Sequence, residues 1–435
     1  MRDILHCDLN NFYASVECLV NPNLKGKPVA VCGDEKERKG VVLAKNYIAK
    51  SYGIKTGMTN YEAKKICKDL ILVTANFPLY LKYSRLVKSI YLEYTDQMES
   101  FGIDEAWLDV TNSKYFGDAL TIAKTIKQRV KNEIGLTISI GVSFNKIFAK
   151  LGSDMKKPDA ITIISKENFK DRIWGLPAES MICIGKATIK KLHKYNIFTI
   201  GDLANTDINF LHHKLGKWGI YLYNFANGFE DSKVKSIYDP TKIKSIGNSN
   251  TFYKDLTNKQ EISAGIYALT DSIVKRAFEK NIYNAKTIQV TIKNFDMTTL
   301  SKQTSLSPSQ INSKNLYRAF NNLTNQIKDN EKPIRGLSLS IRNFNSKSRQ
   351  MSIFDDKTAK LDKTIEKINK KYGFSVINRA NILLDSKIGG LKPNNIHPIS
   401  FLSWELVSII KHIKKLHYLI SFGVFVLLSS TAISC

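Results

Sequence analysis

The sequence is short of acidic residues. It holds 39 Asp and Glu against 65 Lys and Arg in 435 residues, which gives a formal net charge of +26. This surplus stands on a chain whose hydrophobic fraction of 43% is enough to build cores, and that fraction excludes disordered and collagen-like proteins. It predicts a polyanionic partner, either nucleic acid or an anionic membrane surface. At roughly 150 residues per domain, the length favours about three domains.

Paired cysteines and a leader segment are also missing. The six cysteines include no Cys-x-x-Cys pair and no Cys/His cluster at metal-ligand spacing. Their scatter argues against both a zinc site and a disulfide framework. The first residues run straight into a strand-like segment without an apolar signal region. We therefore expect the body of the protein to be cytoplasmic.

The first 160 residues alternate between strand and helix patterns. Asp3 to Cys7 reads as a buried strand with Asp8 at its carboxyl end, and a helix follows. Residues 100–111 read as a hairpin, and a second helix precedes a β-branched run at 136–143. This order is typical of a ferredoxin-like α+β core, here with a helix-rich insertion between Phe12 and about Phe77.

The rest of the chain predicts two further units. Residues 176–225 read as a small helical domain punctuated by glycine, and the polar stretch 231–249 reads as a linker. A second α+β domain is predicted from one helix (264–280) and two strands (287–293 and 336–342). Residues 241–350 carry 18 Lys and Arg against 7 Asp and Glu, so the basic surplus is heavily represented there.

Three carboxylates are the candidates for chemistry. Asp8 ends the first strand, and the pair Asp104 and Glu105 lies at the hairpin turn, so all three can meet at one sheet edge. Hard oxygen ligands at such range favour a divalent cation, particularly Mg²⁺ when substrate phosphates complete its shell. Taken alone, the Asp-Glu pair reads as a solvated turn, because surface acids are common. The three together favour a metal site.

Three blocks of sequence carry a family resemblance. They are Asp8 to Glu17, Phe101 to Asp109, and Gly141 to Pro158. In order and spacing they resemble the signature motifs of Y-family translesion DNA polymerases, and specifically the DNA polymerase IV type, with a clostridial-like ending. The resemblance covers the chain from Met1 to about Phe401.

The resemblance implies an α+β right-hand polymerase with a ferredoxin-like palm. The implied domains are the palm (1–11 and 77–166), fingers (12–76), helix-hairpin-helix thumb (167–236), α+β little finger (245–348), and clamp-binding peptide with C-terminal extension (349–401). The implied activity is template-directed, low-fidelity addition of dNTPs to a primer 3′ end by two-metal phosphoryl transfer, in DNA damage tolerance and repair. The implied partners are primer-template DNA, dNTP and the β sliding clamp, and the protein is expected to be monomeric.

The resemblance also assigns the metal site. It implies that Asp8 and Asp104 bridge two Mg²⁺ ions and that Glu105 holds the catalytic one, so these three are the catalytic residues. A backbone carbonyl, here that of Leu9, is a further metal ligand in the family. Many members carry a second acid where this chain has Asn10.

Four residues match the family's nucleotide-binding positions. Tyr13 matches the ring beneath the incoming sugar, which leaves no room for a 2′-hydroxyl; alone it reads as an ordinary core aromatic. Tyr47 and Lys50 match a triphosphate-binding Tyr-x-x-Arg, with Lys in place of Arg, so a forked contact becomes a point charge. Lys157 matches another triphosphate-binding lysine.

Residues 182–203 resemble a helix-hairpin-helix, in which backbone N–H groups at a glycine turn grip a DNA phosphate. In our interpretation, Ile182 occupies the position of the usual first glycine of the hairpin. The predicted DNA-binding residues are therefore Gly185 and Lys186. An ordinary helical turn is the alternative.

A pentapeptide near the C-terminus resembles the short bacterial sliding-clamp-binding peptide, which docks hydrophobic anchors into a preformed pocket. Its internal position is that of the DNA polymerase V catalytic subunit, and a loop or edge strand is the alternative. The predicted clamp-binding residues are Gln350, Met351, Ser352, Ile353 and Phe354.

Residues 402–435 form an anomalous hydrophobic tail. Lysines precede an uncharged run from Leu416, which approaches the roughly 20 residues of a membrane span. The order of charge and apolar residues is also that of an export signal. We favour a reading-frame fusion or read-through over a tail anchor, and expect no membrane association unless the tail is a genuine anchor.

Three alternative functions are open from the sequence. The chain could be a catalytically silent DNA- and clamp-binding scaffold, a DNA polymerase V-like catalytic subunit, or a nucleotidyl cyclase on a similar palm. A cyclase does not need the thumb and little-finger segments, and fold alone does not decide. The intact set Asp8, Asp104 and Glu105 favours catalysis.

Overall fold

The structure, a computed structural model, describes residues 2–34, 40–240, 243–307, 310–344 and 357–372, together with Ile377 and Ile388. The chain divides into two compact units. The first contains most residues up to Asp239, and the second contains Cys32–Val41 and Pro240–Ile396. The predicted clamp-binding peptide and the hydrophobic tail lie outside the described residues. None of the helices within these ranges is long and apolar enough to cross a membrane.

The first unit combines two sheets with helices. Its strands are β1 (Ile4–Leu9), β2 (Val29–Cys32), β3 (Val42–Lys45), β4 (Ile71–Thr74), β5 (Met98–Phe101), β6 (Glu105–Asp109), β7 (Ile138–Ser143) and β8 (Ile161–Ile164). Its helices are α1 (Phe12–Val20), α2 (Tyr47–Ser51), α3 (Asn60–Ile66), α4 (Phe77–Tyr94), α5 (Ala119–Arg129), α6 (Lys146–Met155), α7 (Phe169–Ile173), α8 (Lys186–His193), α9 (Ile200–Asn205), α10 (Ile208–Leu215) and α11 (Lys217–Ala226).

Strand β1 is the centre of the larger sheet, whose strand order is β5-β6-β1-β7-β8. It pairs antiparallel with β6 and β7, and all six of its residues are buried because helices cover both faces. The ferredoxin-like order predicted from the sequence is confirmed, with β8 added in parallel beside β7. The strand extends to Leu9, so Asp8 lies within it rather than beyond its end.

Helix α6 lies unusually close to this sheet. A Cβ atom at Gly141 in β7 would come within 1.9 Å of the Ala149 carbonyl oxygen of α6, so only glycine fits there. The helix begins where the Asn145 side chain accepts a hydrogen bond from the Phe148 N–H. Its buried face includes Phe148 and Leu151, while Lys150 and Ser153 contact residues of β1.

The insertion after α1 carries the smaller sheet, in the order β3-β2-β4, and two short helices, α2 and α3. A reciprocal capping box between Thr59 and Glu62 starts α3. The later helices, α7 to α11, share an apolar core with α6 and β8, and this core includes Leu192, Leu203 and Leu222. The helical character predicted for residues 176–225 is confirmed, and these helices belong to the same compact unit as the sheet.

The second unit is a four-stranded antiparallel sheet backed by helices. Its elements are β9 (Ser245–Leu256), α12 (Lys259–Glu279), β10 (Ala285–Asn294), β11 (Thr299–Ser305), α13 (Ser313–Ile327), β12 (Ile334–Phe344) and α14 (Lys357–Tyr372), with strand order β11-β10-β12-β9. The predicted helix and both predicted strands are confirmed as α12, β10 and β12. The prediction of a linker over 231–249 was wrong at its end, because Ser245 already belongs to β9.

Candidate active site

The ends of β1 and β6 bring the predicted carboxylates together. Asp8 is 5% exposed and is the register partner of Glu105 across the antiparallel pair. The Leu9 N–H donates to the Asp104 carbonyl oxygen at 3.2 Å, which ties the turn before β6 to the end of β1. All four residues that the sequence predicted as metal ligands therefore lie at one point of the sheet.

Helix α4 holds that turn from the other side. The Ser84 hydroxyl donates to the Ile103 carbonyl oxygen, and Lys88 Nζ donates to the Gly102 carbonyl oxygen at 3.3 Å. Lys88 is 3% exposed, and burial lowers its pKa to about 8. Sequence analysis missed both residues, since nothing in the helical pattern of α4 indicates which turn its polar groups bind.

Two lysines lie among the carboxylates. Lys150 Nζ is 3.2 Å from Asp8 Oδ2, 2.9 Å from Glu105 Oε2 and 3.1 Å from Asp154 Oδ2. Lys157 Nζ is 2.7 Å from Asp8 Oδ2 and 2.9 Å from Asp154 Oδ1. Lys157 was predicted from the sequence, whereas Lys150 and Asp154 were not. Their spacing of four residues on α6 is the signal that could have indicated them.

The environment shifts the pKa values of the adjacent Asp104 and Glu105 in opposite directions. Burial, with the nearby charges of Glu105 and Asp8, raises the pKa of Asp104 to about 6. Burial would also raise the pKa of Glu105, but His6 and Lys150 outweigh it and lower that pKa to about 2. Positive charge therefore stabilises the ionised cluster, and the ammonium groups of Lys150 and Lys157 provide it in this structure.

A buried histidine, His6, contacts the carboxylate cluster through Glu105. Alternation along β1 places His6 and Asp8 on the same face of the strand. His6 Nδ1 shares a hydrogen bond of 2.8 Å with the Ser153 hydroxyl, which also lies 2.8 Å from the Lys150 carbonyl oxygen. His6 Nε2 lies 3.2 Å from Glu105 Oε2, and burial lowers the pKa of His6. Sequence analysis did not identify His6.

The donor set suits a divalent cation. Within the described ranges, no three His, Cys, Asp or Glu side chains converge closely enough to hold a metal as they stand, because Lys150 lies between Asp8 and Glu105. Carboxylate oxygens are the ligands that Mg²⁺ prefers. The residues present therefore fit such an ion once the ammonium group moves aside.

Tyr13 is braced by an aromatic cluster. Its ring stacks on Tyr80, with centroids 4.4 Å apart, and contacts Phe77 edge-on at 5.9 Å. The Tyr80 hydroxyl donates to Glu17 Oε1 at 2.5 Å, which fixes the ring beneath Tyr13. Burial and the charge of Asp104 raise the pKa of Tyr13 to about 12. The ring is thus held in one position close to the carboxylates.

The predicted pair on α2 lies near the same charges. Tyr47 is half-buried; burial raises its pKa, and the charges of Lys157 and Asp8 act on it in opposite directions. Lys50 is exposed, with its Nζ 5.7 Å from the centroid of the Tyr47 ring. Tyr47 therefore belongs to the charged cluster, while Lys50 lies on the solvent side of Tyr47.

The predicted hairpin is formed between residues 181 and 185. Gly185 is the N-cap of α8 and Lys186 its first residue, and both are exposed. The left-handed backbone typical of glycine occurs at Cys183, where φ is +74°. Ile182 is instead partly buried against the neighbouring core. The glycine position was therefore assigned one residue too early in the sequence analysis.

Comparison with known proteins assigns the family. Residues 7–154 match the impB/mucB/samB family, and residues 243–353 match the C-terminal domain of that family. A DNA polymerase IV from Acetivibrio thermocellus is 46% identical over 397 residues, covering 88% of this chain and 98% of the relative. The chain belongs to the Y family of DNA polymerases, in its DNA polymerase IV group.

Other relatives agree with this assignment. DNA polymerase IV 1 of Bacillus subtilis is 38% identical to this polymerase over 398 residues, covering 88% of the chain and 93% of the relative. A solved Y-family DNA polymerase chimera of Dbh and Dpo4 superposes with a TM-score of 0.69 at 26% identity, covering 79% of this chain and 99% of the chimera. The right-hand α+β fold expected from the sequence is thereby confirmed.

The family membership fixes the class of reaction. This polymerase is a DNA-directed DNA polymerase, a nucleotidyltransferase of translesion synthesis, and enzymes of the Y family are metal-dependent. The scaffold and cyclase alternatives are not favoured. Binding of DNA and nucleotide substrates follows from the activity.

Proposed function

We propose that this polymerase adds deoxynucleotides to a primer 3′ end by two-metal phosphoryl transfer, with Asp8, Asp104 and Glu105 holding two Mg²⁺ ions and the Leu9 carbonyl as a further ligand. The observation that carries the proposal is the meeting of three carboxylates where β1 and β6 adjoin, with two ammonium groups among them. When bound, Mg²⁺ lowers the pKa of the primer 3′-hydroxyl and stabilises charge on the triphosphate.

The lysines prepare the site for a triphosphate. Lys157 forms an ion pair with Asp8, and the charges of both residues act on the pKa of Tyr47. We assign these two and Lys50 to the triphosphate, which an ammonium group contacts as a point charge. Metal binding requires Lys150 to release Asp8 and Glu105, and Asp154, 3.1 Å away, remains as its partner.

We assign substrate discrimination to Tyr13 and DNA contact to the hairpin. The stacked ring of Tyr13 occupies fixed volume near the carboxylates, as a sugar gate requires. Gly185 and Lys186 begin α8 with backbone N–H groups that are exposed at a helix N-terminus, where a phosphate binds without regard to sequence. The +26 net charge of the whole chain is consistent with a polyanionic substrate.

Primer extension tests the proposed chemistry. With primer-template, dNTPs and Mg²⁺ we expect addition of the nucleotide that the template specifies, and no addition once EDTA has removed the metal. The control omits the template strand and should give no templated product. Extension that continues in EDTA would contradict the metal-dependent mechanism.

We also propose that Gln350 to Phe354 binds the sliding clamp. The support is the sequence of this segment and its flank: the Ser313 N–H and hydroxyl, at the start of α13, each donate to the Asp362 carboxylate of α14 at 2.8 Å. Helix α14 begins at Lys357 and is therefore attached to the second unit just after the peptide.

Deletion of Gln350 to Phe354 is expected to abolish stimulation by a loaded clamp and to leave synthesis on a bare primer unchanged. The peptide supplies tethering, and hence effective concentration, rather than chemistry. Processivity with and without clamp measures the effect. A variant with Ser346→Ala and Ser348→Ala, just outside the peptide, is the matched control and should keep the stimulation. Stimulation that survives the deletion refutes the assignment.

A further inference from the structure

Asn10 stands where many Y-family members carry a second acid, and its side chain bonds to β7 and to the turn after α6. It is 2% exposed. Its Nδ2 donates to Ser139 Oγ of β7 at 2.9 Å, and its Oδ1 accepts from the Asp159 N–H at 2.9 Å. Both ends of the amide are therefore satisfied, one by the sheet and one by the turn that follows α6.

That turn carries Lys157. Asp159 lies two residues after Lys157, and Lys157 Nζ returns to Asp8 Oδ2 at 2.7 Å. Asp8 lies two residues before Asn10. The stretches 8–10 and 157–159 are therefore joined at both ends. One connection is the ion pair, which must open when a triphosphate binds. The other is the partly buried hydrogen bond from the Asp159 N–H to Asn10 Oδ1, which involves no group proposed to contact substrate.

We infer that Asn10 is a positioning residue for nucleotide binding: its side chain holds the 157–159 turn so that Lys157 projects over Asp8. This inference rests on the proposed role of Lys157 toward the triphosphate. It explains how a chain without the second acid keeps the site intact, since an amide oxygen accepts from the Asp159 N–H as a carboxylate oxygen would. It gives position 10 a function that needs no metal.

Two other anchors compete for the same turn. Lys127 Nζ and Lys131 Nζ lie 3.4 and 3.0 Å from the Asp159 carboxylate. These ion pairs are partly exposed, and such pairs contribute little. The Asp159→Asn variant removes them while keeping the backbone N–H that Asn10 binds, and asparagine tolerates the φ of +54° at this position. It is the matched control.

Steady-state kinetics on the full chain test the inference. We expect Asn10→Ala to raise the KM for dNTP about tenfold with kcat nearly unchanged, because the turn loses a buried hydrogen bond. Asn10→Asp should restore the KM to within about twofold, since it keeps the acceptor and Ser139 can donate to it. Asp159→Asn should leave the KM unchanged. An increase in KM for Asp159→Asn would assign the anchor to Lys127 and Lys131 and overturn the inference.

A double-mutant cycle separates this inference from the proposed function. If Asn10 acts through Lys157, then Lys157→Ala and the double variant with Asn10→Ala should have the same KM. Additive effects, or a KM that rises in Lys157→Ala but not in Asn10→Ala, would overturn the role of Asn10 and leave that of Lys157 standing. A KM unchanged in Lys157→Ala would refute the triphosphate role and the inference with it.

Amide exchange gives a readout that does not depend on activity. The Asp159 amide should exchange slowly in the unsubstituted protein and at least about tenfold faster in Asn10→Ala, because its acceptor is lost. Fast exchange in the unsubstituted protein would overturn the inference even if Asn10→Ala failed to fold.

Discussion

Replacement of Asp104 by Asn, or of Glu105 by Gln, is expected to reduce nucleotide incorporation by at least about a thousandfold, equivalent to roughly 4 kcal/mol of transition-state stabilisation. Each change removes a charged oxygen from the proposed metal site and nearly preserves the shape of the side chain. DNA affinity should change by less than about twofold, because the phosphates are held elsewhere. Single-turnover incorporation and equilibrium binding of primer-template measure the two quantities.

The structure supplies the controls for these variants. Asp118→Asn exchanges the same groups at the exposed N-cap of α5, where Asn caps as well as Asp, and should retain full activity. Without metal, Asp104→Asn should melt no lower than the unsubstituted protein, because Asp104 is a buried carboxylate beside two like charges. Normal primer extension by either active-site variant would contradict the proposed metal-binding role of these carboxylates.

Tyr13→Ala is expected to lower the preference for dNTP over rNTP by roughly 10- to 200-fold, since removal of the ring opens space for one hydroxyl group. The stacking of Tyr13 on Tyr80 shows why the effect should be large: the ring cannot swing aside while Tyr80 is fixed by Glu17. Incorporation efficiencies of paired ribo- and deoxyribonucleotides measure the ratio.

Tyr13→Phe is the matched control for the sugar gate. It keeps the ring and its stacking partners and removes only the hydroxyl, so the preference for dNTP should stay within about twofold of the original. If Tyr13→Ala left the ratio unchanged, Tyr13 would not be the gate. A loss of preference in Tyr13→Phe would instead assign the selectivity to a hydrogen bond of the hydroxyl group.

The sequence predicted those parts of the site that local patterns determine. A strand ending near Asp8 and an acidic pair in a hairpin turn are local features, and the family motifs around them supply the roles. His6, Lys150 and Lys88 were missed because their partners lie on other elements, brought together by the packing of α6 and α4 on the sheet. The four-residue spacing on α6 indicates the pair of Lys150 with Asp154, but no spacing within one segment indicates a contact with another element.

The second unit shows the same limit for the fold. Strands β10 and β12 alternate between buried apolar and polar residues, so periodicity revealed both. All seven residues of β11 are exposed, so the strand has no apolar face to detect. The first half of β9 is rich in Ser, Gly and Asn, and its polar composition was taken for a linker. Pairing with a neighbouring strand, rather than local propensity, determines both strands.

The close approach of α6 at Gly141 has a consequence for how this enzyme can evolve. Lys150 and Ser153 lie on that helix and Lys157 on the turn after it, so one helix–sheet spacing sets the reach of all three toward β1. A methyl group at position 141 would meet the backbone of α6 and shift these groups together. The geometry of the site therefore depends on Gly141, which has no side chain. If Gly141 were replaced, no compensating change at a single charged residue could restore the alignment of all three groups.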